Sequence, residues 1–279
     1  MSTALDTFAG LILPDRGVSP NAEDIFELYL MLLIMSAVVF FVVEGLLIWF
    51  TLKFKARRGR VAAQIHGNTR LEVGWTVGAA VILVFITAVT FIKLPGIKDP
   101  AASDIDAQGN PVAAAAVFAS TDQPAPPRGD SLNITVDGQQ YVWRYQYPRQ
   151  GDKSVFAYEE MVVPLGMTVI LRITSDDVAH SWWIPALGGK MDAVPGYVNK
   201  TWFKATKVGT YKGQCAELCG RNHANMLAHV RVVPFDEYQA WYDREAEDIK
   251  TARDEAARQR DELLKQQQEA EQQSEQPSE

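Results

Sequence analysis

The chain has 279 residues with 27 basic and 34 acidic side chains, which gives a net charge of −7 at pH 7. This net negative charge argues against nucleic acid as a partner, because the phosphates of a nucleic acid would repel the chain. A basic protein is a better match for its charge. The only two cysteines permit one disulfide or one metal site, and their number does not decide between these. The mean hydropathy of −0.09 averages two long apolar runs and a very polar C-terminal tail.

The first 27 residues are acidic and irregular. They carry five acidic side chains against the single Arg16, and Pro14, Gly17 and Pro20 interrupt any regular pattern. The segment lacks the pattern of a secretory signal, in which a cationic start is followed by a short apolar core and a small-residue cleavage site. We therefore expect no secretory signal in residues 1–27, which form an irregular N-terminal segment.

Two apolar runs follow, at residues 28–52 and 73–92. Either is long enough to cross a hydrocarbon core of about 30 Å as a helix, so we predict a transmembrane helical hairpin over residues 28–94. A pair of buried helices in a soluble protein is the alternative. Glu44 is the only charged residue in the first run, and we expect it to be protonated or paired with another subunit, since a charge within the membrane is costly.

The connection between the two runs is strongly basic. Short loops rich in lysine and arginine stay on the cytoplasmic side of the membrane. The N-terminal segment and everything after Lys93 are then extracytoplasmic, and we expect the hairpin to lie in a bacterial-type inner (cell) membrane. The basic residues are Lys53, Lys55, Arg57, Arg58, Arg60 and Arg70.

The remainder of the chain divides into a linker, a β domain and a tail. Residues 95–130 are rich in Pro, Ala, Asp and Gly, which predicts a linker or a surface insertion without a core of its own. Short β-branched and aromatic segments separated by glycines then predict an antiparallel sandwich or Greek-key barrel over residues 131–243. Residues 244–279 predict a charged tail, helical or disordered, since no convincing apolar stripe extends beyond Tyr238, Trp241 and Tyr242.

Both cysteines lie in one twelve-residue stretch at positions 215–226. Thiolate, thioether and imidazole together favour copper. Two thiolates four residues apart on a turn can face the same point and bridge two ions, with the upstream His180 on one ion. His223 then serves the other ion, while the thioether and a backbone carbonyl act as weak axial ligands. The candidate side-chain ligands of the stretch are Cys215, Cys219, His223 and Met226.

Two other interpretations of the stretch stay open from the residues alone. A disulfide between Cys215 and Cys219 is reasonable outside the cytoplasm. A zinc site with two cysteines and two histidines is also possible, although zinc has no use for Met226. A site with every position filled has no room for substrate, which favours electron relay over catalysis at this metal. No Cys-x-x-Cys-His sequence occurs, so we expect no covalently attached haem.

The stretch resembles the copper loop of subunit II of the haem-copper cytochrome c oxidases, which carries the dinuclear copper centre CuA. The family pattern is Cys-x-Glu-x-Cys-Gly-x-x-His-x-x-Met, and residues 215–226 fill every place. The segments 66–76 and 177–196 also resemble the family, and the likeness spans about residues 25–243. The resemblance implies a cupredoxin-like domain with copper ligated by the side chains of His180, Cys215, Cys219, His223 and Met226.

The resemblance also implies roles for two acidic residues. Glu217 would bind copper through its backbone carbonyl and magnesium, shared with the catalytic subunit, through its carboxylate. A solvated loop acid is the alternative. Glu72 matches the acid at the mouth of a proton channel leading into the catalytic subunit. An interfacial acid stabilised by the dipole of a helix N-terminus is the alternative for Glu72.

The aromatic strand at residues 138–147 departs from the family pattern. The position where the family has the tryptophan through which electrons enter holds Tyr141, and Val142 and Gln146 also differ. Tyr141 and Trp143 are therefore our candidates for receiving electrons. The alternative is that these aromatic side chains belong to the core of the sheet.

The resemblance implies the electron-input subunit of a proton-pumping terminal oxidase, an oxidoreductase and translocase. It would receive electrons from cytochrome c, or from a cytochrome c subunit of another complex, and pass them to haem in catalytic subunit I, beside subunit III. A membrane-anchored copper carrier or chaperone, or another CuA-type electron-transfer protein, is the alternative. An acidic rim should attract a lysine-rich donor. The candidate docking acids are Asp176, Asp177, Glu159 and Glu160.

Overall fold

The computed structural model describes residues 16–55, 59, 61, 64–112 and 130–274, with side chains to residue 269. The first 15 residues, three arginines of the predicted cytoplasmic connection and residues 113–129 of the predicted linker lie outside the described residues. Two long helices, a β domain and a C-terminal helix follow in chain order.

The two apolar runs form the helices α1 (Pro20–Lys53) and α2 (Thr69–Lys98). Pro20 occupies the first turn of α1, where its missing N–H costs nothing. The side chain of Asn68 caps α2 by accepting a hydrogen bond from the backbone N–H of Leu71 at 3.2 Å. Both helices are long and apolar enough to cross a membrane, and the described part of the chain buries no residue of the most apolar 18-residue window of either helix.

The two helices are joined to each other and to the β domain at one end. Lys93 of α2 forms ion pairs with Asp24 and Glu27 of α1. The buried Asn21 donates a hydrogen bond to the backbone carbonyl of Trp202 at 2.9 Å, and the indole of Trp202 donates to the carbonyl of Ile97 at 3.0 Å. The β domain is therefore attached directly to the helix ends.

The strands of the β domain are β1 (Ser131–Gln139), β2 (Val142–Gln146), β3 (Phe156–Tyr158), β4 (Glu160–Pro164), β5 (Thr168–Ser175), β6 (His180–Trp182), β7 (Met191–Ala193), β8 (Asn199–Lys204), β9 (Gly209–Gln214) and β10 (Leu227–Val233). They form a five-stranded sheet ordered β3-β2-β1-β5-β8, a three-stranded sheet ordered β4-β10-β9 and the small pair β6-β7.

The sequence predicted an antiparallel sandwich or Greek-key barrel, and two strand pairs depart from antiparallel pairing. β1 pairs with β5, and β4 with β10, in parallel. The other five pairs are antiparallel. Alternation of apolar and polar residues reports which face of a strand is buried, but it carries no information on the direction of the neighbouring strand.

The core of the domain lies between the two main sheets. Inward-facing residues of β1, β2 and β5 meet those of β4 and β10. Each fully buried large apolar side chain contributes about 1.5–3 kcal/mol relative to an exposed one. The fully buried members include Ile134, Val136, Trp143, Tyr145, Met161, Val163, Leu171, Ile173, Val230 and Val232.

The described first part of the predicted linker packs on the β domain. The buried hydroxyl of Ser103 donates to the carbonyl of Asp130 at 2.7 Å and accepts from the backbone N–H of Thr168 at 2.9 Å. Lys204 forms an ion pair with Asp104 at 2.9 Å. Residues 101–112 are thus a surface insertion held on the edge of the domain.

The C-terminal helix α3 (Phe235–Ser274) begins on the β domain and then leaves it. Tyr238, Trp241 and Tyr242 are buried, and the ring of Trp241 lies 5.1 Å from that of Tyr147. From Lys250 to Glu269 almost every residue is exposed. The predicted polar helical tail is confirmed.

Candidate metal centre

The loop at residues 215–226 connects two paired strands, β9 and β10, so its ends are held together. The backbone N–H of Cys215 donates to the carbonyl of Met226 at 2.9 Å, which closes the base of the loop. The next N–H, of Ala216, donates to the carbonyl of Ser181 in β6 at 2.9 Å. Because His180 precedes Ser181, this bond fixes the loop beside the upstream imidazole.

The two thiols face each other, and each has an imidazole of its own. The sulfur atoms of Cys215 and Cys219 lie 3.9 Å apart. Nδ1 of His180 lies 3.8 Å from the Cys215 sulfur, and Nδ1 of His223 lies 3.5 Å from the Cys219 sulfur. The sulfur of Met226 lies 3.9 Å from that of Cys219. The structure therefore brings together all five side chains that the sequence proposed.

A backbone carbonyl completes this donor set. The carbonyl oxygen of Glu217 lies 3.2 Å from the Cys215 sulfur, whereas Glu217 as a whole is exposed. Leu218 beside it is 79% exposed. Glu217 thus turns its carbonyl inward and remains accessible to a partner on its outer side.

The distances fit a metal site better than a disulfide. A disulfide requires an S–S distance of about 2.05 Å, and both cysteines are free thiols. Two sulfurs that are each about 2.3 Å from one ion at a tetrahedral angle lie ~3.8 Å apart, close to the separation of Cys215 and Cys219. The ligand atoms of His180 and these two thiols all lie within 4.8 Å of one another. Sulfur and imidazole donors of this kind fit copper.

The site is closed to water on its inner side. His180, Cys215, Cys219 and Met226 are all buried. Burial raises the pKa of the Cys219 thiol, and the neighbouring Cys215 raises it further. In the metal-free chain this thiol is protonated at neutral pH, so a metal ion must displace its proton.

The ring of His180 is held in one orientation from two sides. Its Nε2 lies 2.9 Å from Oδ1 of Asp177, which leaves Nδ1 facing Cys215. Burial opposes ionisation of Asp177, but the hydrogen bonds from His180 and from backbone N–H groups outweigh it and lower its pKa to about 2. A Cβ atom at Gly138 would lie 3.0 Å from the His180 ring, so a larger residue at this position would push the ring by a few tenths of an ångström.

Two family domains match the chain. Residues 149–233 match the periplasmic domain of cytochrome c oxidase subunit II, and residues 7–92 match the transmembrane domain of the same subunit. Cytochrome c oxidase subunit 2 of Alkalihalophilus pseudofirmus is 34% identical over 225 residues, and the alignment covers 80% of this chain and 58% of that protein. The probable cytochrome c oxidase subunit 2 of Rickettsia bellii is 33% identical over 241 residues, with 80% of each chain covered.

The chain belongs to the cytochrome c oxidase subunit II family. The resemblance inferred from the sequence is thereby confirmed, as is the fold of two apolar helices, a β domain and a C-terminal helix. This subunit II is a two-span membrane protein with a periplasmic domain. The solved periplasmic domain of subunit II of cytochrome oxidase from Bradyrhizobium japonicum is 36% identical to it, with a TM-score of 0.41, and covers 44% of this chain and 97% of that one.

The two aromatic candidates of this subunit II occupy different environments. Trp143 is fully buried and its ring lies edge-on to that of His180, with the centroids 5.8 Å apart. Tyr141 is partly buried, and a Cβ atom at Gly220 would lie only 2.7 Å from its hydroxyl oxygen. Tyr141 therefore lies between solvent and the residue that follows Cys219.

The four proposed docking acids also differ in their contacts. Asp177 is occupied with His180, and Asp176 accepts a hydrogen bond from Gln139 at 2.6 Å. Glu160 is paired with Arg231 at 3.0 Å. Glu159 is exposed, and within the described parts of the chain it has no ion pair.

Glu72 lies in the first turn of α2, at the end of the helix remote from the β domain. One of its carboxylate oxygens accepts a hydrogen bond from the backbone N–H of Asn68 at 3.2 Å. Together with the Asn68 cap this forms a reciprocal pair of bonds at the helix N-terminus. The carboxylate is exposed in the isolated subunit.

Sequence reasoning missed one residue at the site, Gln140. Its side-chain amide donates to the carbonyl of Cys219 at 2.6 Å, and its backbone N–H donates to Asp177 at 2.7 Å. The only signal in the sequence is its place in the aromatic segment that resembles the family, since a glutamine in a turn has no chemistry of its own.

Proposed function

We propose that this subunit II is the electron-input subunit of a terminal cytochrome c oxidase and that its loop holds a dinuclear CuA centre. The observation that carries the proposal is the paired donor set, in which two thiols 3.9 Å apart each have a separate imidazole. One ion bound by both cysteines and both histidines would use these four donors. It would leave the Met226 thioether and the Glu217 carbonyl, both within 3.9 Å of a thiol, without a role.

The chemistry supplied by two bridged copper ions is the uptake and release of one electron shared between them, with little change in bond lengths. The residues of this chain supply the rest. Asp177 fixes the His180 ring with Nδ1 towards Cys215, and burial of the two thiols and Met226 excludes water. The exposed outer side of Glu217 is available for a magnesium ion shared with the catalytic subunit.

In this proposal residues 28–94 anchor the protein in the bacterial inner membrane, and residues 1–27 and 131–243 lie on its periplasmic side. A cytochrome c, or a cytochrome c subunit of another complex, delivers electrons near Tyr141. Subunit I receives them at its haem and reduces oxygen to water with proton pumping, beside subunit III. Glu72, at the opposite end of α2, contributes to the mouth of a proton channel in subunit I.

The test is purification of the native complex from the membrane. We expect two copper ions per subunit II, haem in a co-purifying multi-span subunit, and oxygen consumption with reduced cytochrome c. An electron-spin signal from one electron shared by two copper nuclei would identify the dinuclear state. Cys215→Ser should abolish that signal, while Tyr158→Phe, on the exposed edge strand β3, should leave it unchanged.

Other results would overturn the proposal in distinguishable ways. A colourless protein with one zinc ion would indicate a structural zinc site. A subunit that purifies without haem partners and releases copper readily to an acceptor would indicate a copper carrier. Full copper without oxygen consumption would point to another CuA-type electron-transfer protein.

A further inference from the structure

We infer that Gln140 is a positioning residue that locks the metal-binding loop to the segment carrying His180 and thereby sets the reduction potential of the copper centre. The inference rests on the proposed copper function. It concerns a residue that touches no metal ligand atom, so it is separate from the ligand set itself.

Gln140 contacts the two halves of the site from one position. It lies in the turn between β1 and β2, outside both ligand-bearing segments. Its side-chain nitrogen donates to the carbonyl oxygen of Cys219 at 2.6 Å, and its backbone N–H donates to Oδ2 of Asp177 at 2.7 Å. The other oxygen of Asp177 bonds the ring of His180 at 2.9 Å.

These hydrogen bonds form a continuous network beside the site. The network runs from the carbonyl of Cys219 through Gln140 and Asp177 to His180, whose Nδ1 faces the sulfur of Cys215. Movement of the loop away from the His180 segment would break the 2.6 Å bond, which is shorter than the usual N–H···O distance of about 2.9 Å. Further direct bonds between the two segments run from Ala216 to Ser181 at 2.9 Å and, at the base of the loop, from Gln214 to Trp183 at 3.2 Å.

The turn and the loop are in close contact beside these bonds. A Cβ atom placed on Gly220, the residue after Cys219, would lie 2.9 Å from the side-chain nitrogen of Gln140 and 2.7 Å from the hydroxyl of Tyr141. A larger residue at this position would therefore displace the ends of these two side chains, including the Gln140 donor. The φ of Gly220, +132°, separately favours glycine.

The electrostatic consequence has a definite sign. The amide of Gln140 directs the positive end of an N–H dipole at the peptide of Cys219, next to its thiol. A positive dipole near a thiolate stabilises the reduced, more electron-rich state of a metal centre, as hydrogen bonds around metal-bound sulfur do. Removal of this donor should therefore lower the reduction potential.

The test compares Gln140→Met with Gln139→Met in the purified oxidase complex. Methionine matches glutamine in length and carries no N–H donor. Gln139 is the adjacent residue, at the end of β1, and bonds Asp176, not the copper loop, so its variant controls for loss of a neighbouring polar group. The readouts are a redox titration followed through the copper absorption, and copper retention against a chelator.

We expect a lower reduction potential and about tenfold weaker copper retention for Gln140→Met, and wild-type values for Gln139→Met. Gln140→Glu, which replaces the donor by a carboxylate, should lower the potential further. An unchanged potential and spectrum in a fully copper-loaded Gln140→Met complex would overturn this inference alone. A wild-type complex without copper would overturn the proposed function and this inference with it. Equal shifts in both methionine variants would indicate a general effect of the turn and would also overturn the role of Gln140.

Discussion

Asp177 and His180 form a hydrogen-bonded pair in which Oδ1 of the carboxylate lies 2.9 Å from Nε2 of the ring. The pair fixes the histidine with its other nitrogen towards the thiol of Cys215. An acid that the sequence suggested as a docking residue for the electron donor is therefore also the support of a candidate ligand. Its neighbour Asp176 accepts a hydrogen bond from Gln139 instead, so the two acids can be separated by experiment.

Asp177→Asn should weaken copper binding. The amide can still accept from the ring but carries no charge, so the orientation and basicity of His180 are lost in part. We expect roughly 10–100-fold lower copper affinity, measured by competition with a copper chelator. Asp176→Asn is the matched control and should retain wild-type affinity. Equal losses in both variants would show that net charge, and not the pair, decides affinity.

Tyr141→Ala should slow electron transfer from reduced cytochrome c to the copper centre. The ring of Tyr141 lies against Gly220, beside Cys219, and its loss leaves a gap between the surface and the loop. We expect a slowing of about tenfold, corresponding to ~1.4 kcal/mol of barrier, in stopped-flow measurements. Tyr141→Trp should restore the rate. The exposed Tyr158 provides the control, and an equal effect of Tyr158→Ala would refute a special role for Tyr141.

Glu159→Gln tests docking of a basic donor without disturbing the metal site. Glu159 is exposed, whereas Glu160 is engaged with Arg231. Loss of a rim charge acts mainly on the association rate, so oxidation of cytochrome c should slow at low ionic strength and converge with wild type at high salt. The measurement is the second-order rate as a function of salt. A wild-type rate that is flat across ionic strength would contradict electrostatic docking.

Gly213→Ala should destabilise the periplasmic domain. A Cβ atom at this position in β9 would lie 1.8 Å from the backbone carbonyl oxygen of Trp183, so the strand must shift. We expect a loss of about 1–3 kcal/mol or more, seen as a lower midpoint of thermal unfolding. In Gly189→Ala the new methyl group would meet Ile25 at 3.7 Å, an ordinary contact. That control should unfold as wild type does, and a stable Gly213→Ala would show that the strand can adjust.

Trp241→Ala should release the C-terminal helix from the β domain. Trp241 is buried against Tyr147 and Tyr238, and truncation of a buried tryptophan costs about 3–5 kcal/mol. We expect faster proteolysis of α3 and a lower unfolding midpoint. Leu263, which is 59% exposed on the same helix, gives the control, and Leu263→Ala should change stability by less than about 0.5 kcal/mol. Unchanged protease sensitivity in Trp241→Ala would mean that other contacts hold the helix.

The sequence determined the parts of this protein that depend on local pattern. Uninterrupted apolar length gave the two membrane helices, and the spacing within residues 215–226 gave a loop that brings two thiols to one place. These features were predictable because a helix or a tight loop fixes the relation between neighbouring residues. The pairing of His180 with this loop was predicted from the ligand types that copper favours, and the family resemblance agreed with it.

Tertiary structure alone decided the relations between residues distant in sequence. The parallel pairing of β1 with β5 and of β4 with β10 follows from chain crossovers that alternation does not encode. Gln140 bonds Cys219, which is 79 residues away in the sequence, and the ring of Trp241 packs against that of Tyr147, which follows β2. Residue type and spacing specify which donors are available, whereas long-range packing specifies which of them meet, because only the folded sheets bring these segments into contact.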